Sequence, residues 1–328
     1  MRRFIYICSA VVAVFMVLPL RVESQVVEKL SDWNIASQYT IQDSRSLIEN
    51  GSKDDSQIEA QEQEFELEKE SELEEPEFED PLEERIETER HDFTQSTKVV
   101  GRGVRQIEYG VLYTYKDAGG ERENGYATPE LLFRYGLSDR SEFRVRFNYA
   151  WKFFETEEDI QGAEDLRFSL KYVLTEQCCW RPESAVELRT SAPSGKDEVS
   201  TGHWQGGIDY IYGWKLNERF SFTASTGVNS NGLGDIAFID PGGDPEDKFL
   251  AWTQSAALGT EVTEKSTAYL EWFGIFTYGR ENEVSFSFLN IGIDRYLTNN
   301  MLIDFRIGTG LTEESDDVFA GVGGAFRF

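Results

Sequence analysis

From Phe143 to Phe153 the chain reads Phe-Arg-Val-Arg-Phe-Asn-Tyr-Ala-Trp-Lys-Phe, and this alternation leaves little choice about the backbone. One set of positions is wholly apolar or aromatic; the other carries Arg144, Arg146, Asn148 and Lys152. A helix would scatter the two sets around its circumference, whereas a strand puts them on opposite faces. The same period returns in Ile107–Tyr115, in Asp165–Tyr172, around Ile208–Trp214 and in Met301–Ile307. Twelve such runs with turn signals between them span about 104–116, 126–137, 141–153, 163–174, 183–192, 203–215, 218–229, 248–260, 266–278, 283–297, 300–311 and 317–328. The run at 283–297 changes phase near Phe288-Leu289, which predicts a bulge there.

At 10 to 15 residues the runs exceed an ordinary globular strand and suit a tilted crossing of a bilayer. Connections at Ser138–Arg140, Leu216-Asn217, Glu261–Lys265 and Thr298-Asn299 are short. Those at Asp117–Gly125, Phe154–Gly162, Pro193–Gly202 and Ser230–Asp247 are longer, as an up-and-down barrel with short periplasmic turns requires. Thr175–Pro182, Gly279–Asn282 and Thr312–Asp316 break that rule. Alternation alone does not choose between a soluble sandwich or lipocalin-like barrel, with aromatics inside, and a membrane barrel with aromatics toward lipid. Strand length and number favour the membrane, as do Tyr115, Tyr126, Trp151, Trp204 and Trp214 near strand ends, where a membrane interface holds aromatics. The expected fold is all-β: an antiparallel, up-and-down, twelve-stranded transmembrane β-barrel over residues 98–328, preceded by a disordered acidic arm.

Ahead of the barrel lie two other regions. Met1-Arg2-Arg3 and the apolar run Phe4–Leu20 read as a secretory signal peptide cut after Ser24; the alternative is a membrane anchor. No other run is apolar enough for a transmembrane helix. Residues 25–97 form an acidic, low-complexity arm, with 21 Asp or Glu against 5 Lys or Arg between Asp43 and Asp92. Like charges oppose both strand pairing and helix there, so a disordered or frayed periplasmic arm is expected. Its functional reading is weak, salt-sensitive attraction of cations or a basic partner. The formal net charge of -28 argues against nucleic acid as a partner.

Chemistry by side chains finds little support. His91 lies in the arm, and His203 stands near Ser200 and Thr201 without a nucleophile elbow or a third orienting group. Glycine-rich stretches lack the lysine and the strand–helix context of a phosphate loop. Asp235, Asp240, Asp244 and Asp247 do not match an EF-hand, and Cys178-Cys179 lacks further metal ligands. No catalytic residue, metal or cofactor is assigned.

The chain ends Gly324-Ala325-Phe326-Arg327-Phe328, which resembles the assembly signal of Gram-negative outer-membrane barrels, so Phe328 is expected to meet the barrel-assembly machinery. More narrowly, Tyr135–Arg144, Gly162–Leu166 leading to Lys171-Tyr172, Ala192–Gly195 and Gly321–Phe328 resemble the outer-membrane transporter family associated with the MetA pathway of phenol degradation. The resemblance covers 104–328 and leaves out the arm. It implies an outer-membrane location and a hydrophobic or aromatic cargo, with no catalytic residues to carry over.

The non-aromatic faces supply the lumen candidates: Arg144, Arg146, Lys152, Arg167, Lys171, Arg189 and Arg306 as cations; Glu108, Asp165, Glu187, Asp209 and Asp304 as anions. Glu271 is added from a strand with aromatics on both faces. A water-filled lumen with this wall would pass small solutes by facilitated diffusion. The alternative is a structural or adhesive barrel whose charges pair across a closed lumen, with Asp117–Gly125 and Ser230–Asp247 as binding loops.

Overall fold

The computed structural model describes residues 81–90, 93–230, 249–279 and 283–328. The expected signal peptide, the arm as far as residue 80, His91 and almost all of the Ser230–Asp247 loop lie outside these residues.

Thirteen strands form one sheet: β1 (Arg105–Ala118), β2 (Glu121–Ser138), β3 (Ser141–Phe154), β4 (Ile160–Ala163), β5 (Leu166–Thr175), β6 (Glu183–Ala192), β7 (Gln205–Lys215), β8 (Phe220–Ser230), β9 (Leu250–Thr263), β10 (Ser266–Tyr278), β11 (Ser285–Thr298), β12 (Met301–Gly310) and β13 (Val318–Arg327). β4 and β5 both pair with β3, so they are one crossing interrupted at Glu164-Asp165. That leaves twelve crossings. Each pairs antiparallel with the next, and β13 pairs with β1, for instance Gln106 with Arg327 and Tyr115 with Val318. The ring of hydrogen bonds has no free edge, which is what lets a sheet cross a medium without water.

The faces are sorted as a membrane requires. Tyr109, Leu188, Ile208, Ile291, Phe305 and Val322 are exposed around the outside. Their strand neighbours Glu108, Glu187, Asp209, Asn290, Asp304 and Arg306 are buried inside. A water-soluble barrel would bury the first set and expose the second. Here the outer belt meets lipid instead.

Three features differ from the sequence expectations. First, no bulge occurs at Phe288-Leu289; the register of β11 runs unbroken on both sides there and shifts only between Tyr296 and Thr298. The change of phase has another cause: Phe286 and Phe288 point inward, where Phe273, Phe319 and Leu112 receive them. An apolar patch within the lumen reverses the usual face code. Second, Asp117–Gly125 is not a long loop. β1 and β2 continue to a two-residue hairpin at Gly119-Gly120, whose φ angles of +67° and +98° suit glycine and a tight turn. That withdraws one of the two expected adhesive loops. Third, the boundary at residue 97 falls inside the folded unit, because residues 81–90 and 93–97 belong with the barrel. Their acidic composition hides this, since the partners that neutralise them lie far along the chain.

Candidate functional site

The lumen is built by inward side chains of all twelve crossings and by a strap, residues 86–90 and 93–100, lying along its inner wall. At the end carrying the short turns, the Ile86 amide donates to the Asn299 carbonyl at 2.7 Å, and Ile86 packs against Leu302 and Ala325. Deeper in, the amides of Glu89 and Arg90 both donate to Glu108 Oε2, at 2.8 and 2.7 Å. Phe93 lies flat on Phe273, with ring centroids 4.5 Å apart and planes 6° from parallel. The Thr94 amide donates to Glu271, and Asn290 Nδ2 donates to the other oxygen of the same carboxylate. The strap then returns toward the short-turn end, where the Val100 amide donates to Glu142 at 2.8 Å and the Gly103 amide to the Gly136 carbonyl. Glu108 and Glu271 therefore act as acceptors for strap amides that would otherwise be buried without partners.

Charges pair in the same place. Arg90 bridges Glu130 on β2 at 2.6 Å and Asp304 on β12 at 2.5 Å. Glu89 meets Lys171 at 2.7 Å, Arg134 at 3.4 Å and Arg144 closely. Arg144 continues to Glu142 and Glu187, and Arg134 to Glu142 and Glu108. Burial opposes ionisation of Glu89, yet Arg144, Lys171 and Arg134 together hold its carboxyl well below the usual carboxylate range. Removing one member of such a network leaves its partners charged and dry, a loss of about 3–5 kcal/mol.

The expected lumen residues therefore separate into groups. Glu108, Arg144, Lys171, Glu187, Glu271 and Asp304 join the strap network. Arg146 donates to the carbonyls of Glu89 and Arg90, at 3.1 and 3.4 Å. Arg189 pairs closely with Asp209, and with Arg167 these face the space beside the strap. Lys152 sits at the long-loop rim, 2.8 Å from Glu123. Arg306 is buried with no carboxylate beside it among the described residues.

Asp165 departs from its expected role. It lies in the break between β4 and β5, and its carboxylate accepts from the amides of Ser194, Gly195 and Thr201 and from the hydroxyls of Ser200 and Thr201. It organises the loop before β7 rather than charging the wall. The same contacts engage the two hydroxyls that stand near His203.

Sequence reading missed Glu130, Arg134 and Glu142, all buried in the network, and Glu89 and Arg90. Glu130 and Arg134 were legible in principle, since both lie on the polar side of β2. The phase of β2 is masked by a register shift between Ala127 and Glu130.

Beside the strap the lumen keeps some free space. A cavity with about 50 Å³ of free space lies between Phe93 and Gln95 of the strap and a wall that includes Arg167, Asp209, Ser225 and Thr253. That is room for a few waters. At the rims, Tyr115, Tyr126 and Trp151 gather near the Gly119-Gly120 hairpin, with Tyr126 opposite Trp151 in register. Trp204 is exposed at the same end, whereas Trp214 lies at the other, its indole donating to the Trp180 carbonyl. Cys178 and Cys179 are exposed free thiols with sulfurs 3.7 Å apart.

No curated protein sequence matches this chain. Among solved structures, an outer-membrane channel from Pseudomonas putida F1 aligns with a TM-score of 0.55 at 13% identity, over 74% of this chain and 100% of that one. The NanC porin aligns at 0.45 and 9% identity, over 67% and 100%. The translocator domain of the autotransporter NalP from Neisseria meningitidis aligns at 0.42 and 10%, over 70% and 89%. The family described as "Putative MetA-pathway of phenol degradation" matches residues 88–328, a span that takes in most of the strap as well as the barrel. With its closed ring of strands, lipid-facing apolar belt and polar interior, the chain is a Gram-negative outer-membrane β-barrel and belongs to that family.

Proposed function

We propose that the barrel is a channel that carries small solutes across the outer membrane by facilitated diffusion, along the side of the lumen the strap leaves free. The observation that supports this is the cavity between the strap and the wall that carries Arg167, Arg189 and Asp209. Charged groups there face water-accessible space, the arrangement by which a pore wall biases passage. The similar barrel from Pseudomonas putida F1 is itself an outer-membrane channel, and the description of the family points to hydrophobic or aromatic solutes for the first trials. No step in this reading needs a catalytic group.

The remaining parts take supporting roles. The lumen residues tune the passage, and Tyr115, Tyr126, Trp151, Trp204 and Trp214 anchor the two membrane interfaces. Phe328, exposed beside Phe326 at the end of β13, offers the contact for the barrel-assembly machinery. The acidic arm attracts cations or a basic partner in the periplasm.

Planar-bilayer conductance and liposome uptake test the reading together. A small, steady conductance and uptake of phenol-sized solutes above protein-free vesicles are expected. Conductance and uptake equal to empty membranes would favour the second reading, a closed structural barrel, which the paired charges and filled inner wall also support.

A further inference from the structure

Arg90, Arg134, Arg144 and Lys171 are buried cations, and each meets at least one carboxylate. Arg306 is as deeply buried, at 1% exposure, but its Nε and Nη2 have no acceptor among the described residues. The inward carboxylate two residues away, Asp304, is engaged by Arg90. The neighbours of Arg306 across the sheet are Gly292 on β11 and Gly321 on β13, neither of which has a side chain to offer. An unpaired buried charge is costly, so the fold carries a penalty here that an anion would relieve.

The surroundings of the guanidinium say what else that anion should be. Its carbon lies 5.4 Å from the centroid of the Phe319 ring. Phe319 packs edge-on against Phe288, at 5.8 Å, and Phe288 stacks on Phe273 at 4.8 Å. The next ring in this series is Phe93, which belongs to the strap and not to the wall. The lumen thus already holds a planar ring in an aromatic slot, near a guanidinium that lacks its counter-charge.

We propose that Arg306 binds the carboxylate of a small aromatic acid, with the ring of that solute taking the slot that Phe93 now fills. A guanidinium accepts a carboxylate through two parallel N–H···O bonds, and phenyl rings favour offset or edge contacts with the solute ring. The wall then selects for charge and ring together. This deepens the channel reading, on which it rests for the route by which the solute arrives.

The test is calorimetric titration of the folded, detergent-solubilised full chain with benzoate, benzyl alcohol and acetate, followed by liposome uptake of the same solutes. Benzoate should bind about tenfold or more tightly than benzyl alcohol, which has the ring without the charge, and than acetate, which has the charge without the ring. Arg306→Gln should bring benzoate level with benzyl alcohol, and should not lower the temperature of heat unfolding, because it removes an unpaired charge. Phe93→Ala should tighten benzoate severalfold by vacating the slot. If the Gln variant fails to fold, Arg306→Lys replaces it; loss of the paired N–H geometry should then weaken benzoate but not benzyl alcohol. Equal binding of benzoate and benzyl alcohol by the unmodified protein overturns the proposal, as does benzoate binding that no Arg306 variant alters or acetate binding as tight as benzoate. Arg306-dependent binding without uptake would uphold the site and sink the channel. Uptake of both aromatic solutes without dependence on Arg306 would do the reverse.

Discussion

The inner wall formed by β1 to β3 and β10 to β13 carries long side chains that reach the strap: Glu108, Glu130, Arg134, Glu142, Arg144, Phe273 and Asp304. The inner wall of β8 and β9 carries short ones, among them Ser225, Gly227, Thr253 and Ser255, and faces the cavity. One side is thus a dry, paired interior and the other a margin for water. The difference shows how a barrel interior can hold many charges and still keep room for water. The strap supplies Glu89 and Arg90 as counter-ions to one side only, and small residues on β8 and β9 keep the space on the other.

The strongest way to break this contrast is Glu89→Ala. It deprives Arg134, Arg144 and Lys171 of a shared acceptor, and chemical denaturation should show a loss of about 3–5 kcal/mol. Bilayer conductance should rise as the strap loosens, and an unchanged denaturation midpoint would refute the paired interior. Phe273→Ala, on the same side, should cost on the order of 3 kcal/mol by leaving a cavity among Phe93, Phe288 and Phe319. Ser225→Ala on the opposite side should cost less than about 1.5 kcal/mol, the loss of the 2.6 Å contact between Ser225 and Ser255 hydroxyls. Ser225→Phe sharpens the comparison instead, since a ring in the cavity should lower conductance by roughly half while leaving the strap network intact.

The smallest effect concerns the rim. Burial pushes the Asp316 carboxyl, in the loop between β12 and β13, up from 3.8 to about 7, against the attraction of Lys152 and Lys116 and with Glu123 and Asp317 adding to the rise. The folded loop therefore holds a proton more readily than the unfolded chain. Its stability should increase as pH falls from about 7 toward 4, and the penalty is complete above 7. Protease cleavage within 311–317 should slow severalfold at pH 5.5 relative to pH 8. Asp316→Asn should abolish the difference.

The strands were the legible part because they are coded locally. Phe143–Phe153 and Met301–Ile307 announce their faces by a two-residue period, and the observed crossings follow the expected runs closely. The code failed at Phe286 and Phe288, where an inward apolar cluster reversed it, and at the first hairpin, where polar residues continued a strand that reads as a loop. Most lumen residues could be named for the same reason that strands could. Their partners could not, since Arg90 and Asp304 are separated by 214 positions and nothing local links them. Asp165 shows the same limit from the other side: an alternating position whose carboxylate is taken over by a loop about thirty residues later.

By itself the amino-acid order determined the strands and the two faces of each, because a period of two sends successive side chains to opposite sides of a strand. Only the tertiary structure decided that residues 86–90 and 93–100 enter the barrel, which charges they neutralise and that β13 closes on β1. Pairing between distant groups depends on where the closed ring places them, and no periodicity in the chain records that distance.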